Sequence, residues 1–266
     1  MSSFRYLCYR EFKSHAGKVS AIHEVIELAV REFENAARDS GDAEEYLKRT
    51  ADRHALHVHF TQLPDIVAKT IQLHIVNVHE AFERFLDAFR RECIATLDLD
   101  WKDYEKRSTL YVILQNIFGS QQSAREQIGV MAIDLCDYYR LVRNHVIHAD
   151  LRTEDLEKEF RNVEKYQAKA AETYAKLGLA PNRAAAVTRD DFHLFIRVAQ
   201  DVAWRLCQKA RPTDDQIMKV ISDKIRMFEN RWPGDSDRVG RAVAVLIQKQ
   251  YGLDRGEATR IAGMVH

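Results

Sequence analysis

The chain has 266 residues, 46% hydrophobic and 30% charged, with 40 Lys and Arg balancing 40 Asp and Glu. That is enough apolar material for a substantial core. The zero formal charge excludes nucleic-acid binding driven by bulk positive charge, so any phosphate affinity must come from a local patch.

Only 4 Pro and 10 Gly interrupt the chain, which predicts long helices and an all-α fold. Met1 to Ser14 holds Phe4, Tyr6, Leu7, Tyr9 and Phe12 without a clear period. It reads as either an extended arm or a short helix. Met1–Arg5 lacks a continuous apolar run, so no signal peptide is expected. No stretch reaches transmembrane length, and the chain reads as a soluble cytoplasmic protein without a membrane partner.

Val19, Ile22, Val25, Ile26, Ala29, Val30, Phe33 and Ala37 follow three-four spacing and predict an amphipathic helix ending near Ser40-Gly41. A shorter helix is predicted from Asp42, with Glu45 completing a capping-box-like start. His54, His57 and His59 are close in sequence but have no acidic residue beside them. They read as a histidine-rich surface, and no metal site is expected.

Leu63-Pro64-Asp65 reads as the start of a spine helix reaching Cys93, about 45 Å long. Its Arg90-Arg91 end suits the helix dipole. Along it, His74, Asn77, Glu80 and Arg84 share one stripe, which reads as the solvated side of the spine.

Asp100 to Phe118 is the next predicted helix, followed by a polar connection and one from about Ala124 to Ile147. Another is expected from Thr153 to Leu177, capped by Gly178. Its Glu- and Lys-rich surface reads as a solvated face. After a loop over residues 179–188, Thr188-Arg189-Asp190-Asp191 caps a helix that stops before Arg211-Pro212. Beyond Pro212, three short helices are predicted, broken at Trp232-Pro233-Gly234-Asp235. The expected divisions are an N-terminal helical extension (1–60), a helical bundle (61–211) and a three-helix module (212–266).

Cys8, Cys93, Cys136 and Cys207 are scattered without a C-x-x-C pair, which suggests buried reduced thiols. There is no glycine-rich phosphate loop, nucleophile elbow, H-E-x-x-H or paired-carboxylate signature. One stretch does carry chemistry: Arg143-Asn144, followed by His148, at the end of the predicted helix. Asn144 and His148 are one turn apart, and Arg143 brings a permanent cation beside them. An arginine, an amide and an imidazole so placed can hold a phosphodiester and move protons around it. The competing reading is structural, with Arg143 paired to Asp137 or Asp150 and His148 capping carbonyls.

The order Arg-polar-x3-His at a helix end in a helical chain resembles the HEPN superfamily. Members are four-helix bundles, and many are metal-independent endoribonucleases. The resemblance covers roughly residues 61–211, with the bundle made of the Pro64, Asp100, motif and Thr188 helices. It implies a homodimer with a composite cleft, RNA as substrate, no cofactor, and a role as a toxin or phage-defence effector with an antitoxin or regulatory partner.

The catalytic residues it implies are Arg143 on the phosphate, His148 as base or acid, and Asn144 orienting His148 or the phosphate. His145 points away and is set aside. A toxin subgroup carries Tyr two residues after the histidine, where a partner enzyme attaches nucleotides. Here that position is Asp150, which counts against such neutralisation and suggests instead that Asp150 raises the pKa of His148. The alternative is a non-catalytic RNA-binding or protein-interaction module on the same fold.

Overall fold

The computed structural model describes residues 4–58, 63–148, 153–174 and 178–265. The expected all-α class is what it shows: among these residues the regular structure is helical, with no strand. The helices are α1 (Leu7–Asp39), α2 (Ala43–Arg53), α3 (Leu63–Thr96), α4 (Thr109–Phe118), α5 (Gln121–Ile128), α6 (Val130–Ile147), α7 (Thr153–Val163), α8 (Gln167–Thr173), α9 (Arg189–Lys209), α10 (Asp214–Arg231), α11 (Ser236–Tyr251) and α12 (Arg255–Ala262). None is long and apolar enough to cross a membrane.

The chain forms two compact units built from discontinuous stretches. The first comprises 1–14, 80–133 and 199–266, and the second 15–79 and 134–198. The division falls inside α1, α3, α6 and α9.

The core of the first unit is aromatic. Phe82, Phe85 and Phe89 fall at three-four spacing on α3 and stack along it, with centroids 6.1 and 5.6 Å apart. Phe12 lies 5.5 Å from Phe85, and Tyr6 meets Phe89 edge-on at 5.6 Å. Such pairs add to the burial of large apolar area. The N-terminal segment joins this core: the Arg5 N–H donates to the Tyr251 carbonyl at 2.7 Å, and the Tyr6 hydroxyl to the Ala210 carbonyl at 2.7 Å. Residues 4–6 are therefore a non-helical arm, and α1 begins at once at Leu7.

The caps follow the sequence closely. Asp42 accepts from the Glu44 and Glu45 N–H groups, both at 3.0 Å. Thr213 and Gln216 form a full capping box on α10, and Asp254 caps α12. Each satisfies donors that the first helical turn leaves open.

Four expectations are corrected. The helix expected over 100–118 starts only at Ser108, which caps α4. Residues 101–107 run outside it because the Asn116 side chain clamps Lys102, accepting from its N–H and donating to its carbonyl, both at 2.8 Å.

The helix expected from Ala124 to Ile147 is two helices, broken at Gly129 with φ 103° and ψ 130°. That conformation is open essentially to glycine alone.

The helix expected from Thr153 to Leu177 is interrupted by a 3₁₀ turn at Glu164–Tyr166 and closed by Tyr174. Gly178 does not cap it: its N–H donates to the Asp190 carboxylate at 2.9 Å.

Finally, α3 outruns Arg90-Arg91 to Thr96, and Arg90 pairs with Asp103 at 2.6 Å instead of serving the helix end.

Gly129→Ala should lower stability by about 1–3 kcal/mol, since alanine must adopt a strained backbone there. Thermal or urea unfolding would measure it.

Candidate functional site

The second unit carries the motif. The α6 residues Tyr138, Tyr139 and Val142 are fully buried, and hydroxyls fix the helix at several levels. The Tyr139 hydroxyl donates to Asp191 Oδ1 at 3.0 Å, the Tyr138 hydroxyl donates to the Asn182 carbonyl, and Tyr166 donates to Asp134 Oδ2 at 2.9 Å.

Asp191 is fully buried at the start of α9. Besides Tyr139 it accepts from the Asn182 N–H and Nδ2 and from the Thr188 N–H, all at 2.8 Å. Burial raises its pKa above the ordinary carboxylate value, and these hydrogen bonds work against that rise.

The free end of α6 presents the predicted residues. Arg143 and Asn144 are half-buried and His148 is exposed. The Arg143 Nη1 donates to Asn144 Oδ1 at 3.1 Å, so the guanidinium and amide are oriented together. His148 lies one residue past the end of α6, but its N–H still donates to the Asn144 carbonyl at 2.7 Å. The helical register thus extends to His148, leaving it on the same edge as Asn144. His145 is half-buried, with Nδ1 unpartnered among the described residues. Asp150, expected to tune His148, lies outside the described residues.

No sequence motif marks the histidine cluster of the second unit. His23 of α1 is 1% exposed, and its ring lies 4.8 Å from His74 of α3, 5.7 Å from His193 of α9 and 4.1 Å from Phe192. Among the described residues, neither ring nitrogen of His23 or His74 has a hydrogen-bond partner. His193 Nε2 lies 3.1 Å from Glu24 Oε1, and Glu24 also pairs with Arg189 at 2.6 Å.

Burial lowers the pKa of all three histidines. His23 falls to about 4, with His74 and His193 adding to the effect and Glu27 and Glu24 opposing it. At neutral pH these imidazoles are neutral packing groups. His74, expected on a solvated stripe with Asn77, Glu80 and Arg84, is buried, whereas Asn77 and Arg84 are exposed.

No group of three or more His, Cys, Asp or Glu side chains among the described residues is arranged to hold a metal ion. His54 and His57 are exposed, and His59 is outside the described residues. The four cysteines are free and buried. Burial pushes the Cys8, Cys93 and Cys207 thiols up, away from nucleophilic thiolate.

Comparison with protein-family models, curated proteins and solved structures gives no match.

Two outcomes are expected. Asp191→Ala should cost about 3 kcal/mol or more in unfolding free energy, because several buried donors lose their acceptor together.

The histidine cluster should make the fold acid-sensitive. A folded pKa below the unfolded value means that the unfolded chain takes up protons first. Stability is then complete above about pH 6.5 and declines toward pH 4, by up to about 3 kcal/mol for His23. Denaturant unfolding between pH 7 and 4 should show this slope, and His23→Leu should flatten it.

Proposed function

We propose that the protein is a metal-independent endoribonuclease acting through Arg143, Asn144 and His148. The reading is supported by one observation above all: an exposed imidazole on the same helix edge as Asn144, whose side-chain amide accepts from the Arg143 guanidinium, at the end of a helix anchored by buried tyrosines. On this reading the chain adopts the HEPN type of four-helix bundle, and two copies meet to make one composite cleft.

In the proposed reaction an imidazole takes the proton from an RNA 2′-hydroxyl, and the freed oxygen attacks the adjacent phosphorus. The O2′–P bond forms and the P–O5′ bond breaks. The second protomer's imidazole, in its protonated form, delivers a proton to the departing 5′-oxygen. The products are a 2′,3′-cyclic phosphate and a 5′-hydroxyl. His148 is exposed and so open to a substrate in either role. Arg143 holds the non-bridging oxygens as charge builds on them. Asn144, bound to the guanidinium, sets its direction. The reading includes action as a toxin or phage-defence effector in the cytoplasm, restrained by a partner protein.

A binding module without catalysis is the second reading. The exposed apolar face of α1, with Ile22, Val25 and Leu28 all more than half exposed, favours it.

Purified protein should cleave mixed RNA in EDTA, leave cyclic phosphate ends and spare DNA. His148→Ala should lose about 10²-fold or more, and Arg143→Ala about 10²–10³-fold, with unfolding midpoints unchanged. Equal cleavage by His148→Ala would remove the proposed role. RNA binding without cleavage by the wild type would favour the second reading.

A further inference from the structure

The apolar pattern of α1 occupies two faces. One is spent inside the second unit: Val19, His23 and Ala37 are buried. The other is open to water, with Ile22 57%, Val25 68% and Leu28 62% exposed, flanked by exposed Ala21 and Ala29. With 100° per residue, these five side chains lie within about 60° of Val25, and Lys18 and Glu32 fall within about 20° of it. They make one straight seam, and monomeric proteins seldom leave such a contiguous stripe uncovered.

We infer that this seam is the contact for a second copy of the same chain, with the two α1 helices antiparallel about a two-fold axis at Val25. The order of residues carries the inference. Positions equidistant from Val25 are matched: Ile22 with Leu28, Ala21 with Ala29, and Lys18 with Glu32. An antiparallel pair centred on Val25 therefore sets large apolar side chains against each other and small ones beside them, which permits close packing of the axes. It also places each Lys18 ammonium opposite a Glu32 carboxylate, twice by symmetry.

A parallel pair would oppose Lys18 to Lys18 and Glu32 to Glu32, so the charges select the antiparallel form. Neither residue makes an ion pair within the described part of its own chain, leaving both for the partner. The contact is isologous and closes at two subunits, the same two whose pairing the composite cleft of the proposed function needs. A single helix pair is small by the standard of stable interfaces, and a dissociation constant in the μM range is expected.

The test is sedimentation equilibrium of the full chain across that range, which reads mass and is independent of RNA cleavage. Wild type should pass from monomer to dimer. Val25→Glu should stay monomeric with unchanged helicity. Lys18→Glu and Glu32→Lys should each weaken the dimer about tenfold, and the double reversal should restore it. Mild oxidation should cross-link Val25→Cys and leave Lys18→Cys uncoupled. A wild type that stays monomeric, or a dimer indifferent to Val25→Glu, overturns the inference. A double reversal no better than the single ones overturns the antiparallel register.

Discussion

The Asp191 carboxylate is the constraint on which the motif region depends. It lies in the first turn of α9 and gathers donors from Thr188, Asn182 and Tyr139. A buried charge is tolerated only when its lone pairs are filled. Here filling them joins three pieces of chain: the loop before α9, the start of α9 and the middle of α6. The orientation of α6 follows, and with it the direction in which Arg143, Asn144 and His148 leave the unit. Phe192 and His193 follow Asp191 directly, so the same anchor sets the imidazoles packed around His23.

Aromatic packing plays the equivalent part in the first unit. Phe82, Phe85 and Phe89 recur on one face of α3, and residues of the arm and α1 fill the spaces beside them. The core is non-directional and tolerant, whereas the polar anchor of the second unit is specific. That contrast matches their contents: one unit holds a small C-terminal helical assembly together, and the other aims a set of polar side chains at solvent.

Much of the local structure could be read directly from the chain. Asp42, Thr213 and Asp254 stand where their helices begin, because a side-chain acceptor before an apolar-periodic run satisfies orphan N–H groups whatever the tertiary context. Other boundaries were hidden. Gly129 breaks a run of otherwise continuous helical pattern, and nothing in a lone glycine says whether its backbone will turn left-handed. The apolar residues near Tyr104 looked helical, but Asn116, distant in sequence, holds that segment outside α4. The histidine cluster left a trace in the spacing: His23 sits in the Val19–Ile26–Val30 stripe, and His74 lies among buried neighbours on α3. Position on an apolar face, not polar type, is what buries these two imidazoles.

By itself the sequence determined the helical class, most helix starts and the placing of Arg143, Asn144 and His148 near a helix end. These follow from periodicity and hydrogen-bond chemistry acting over one or two turns. Only the tertiary structure decided which of the two apolar faces of α1 is buried. It alone also placed Asp191 beside Tyr139 and carried His23, His74 and His193 into one cluster. Such choices depend on residues far apart in the chain competing for the same buried volume, and no local pattern records the outcome of that competition.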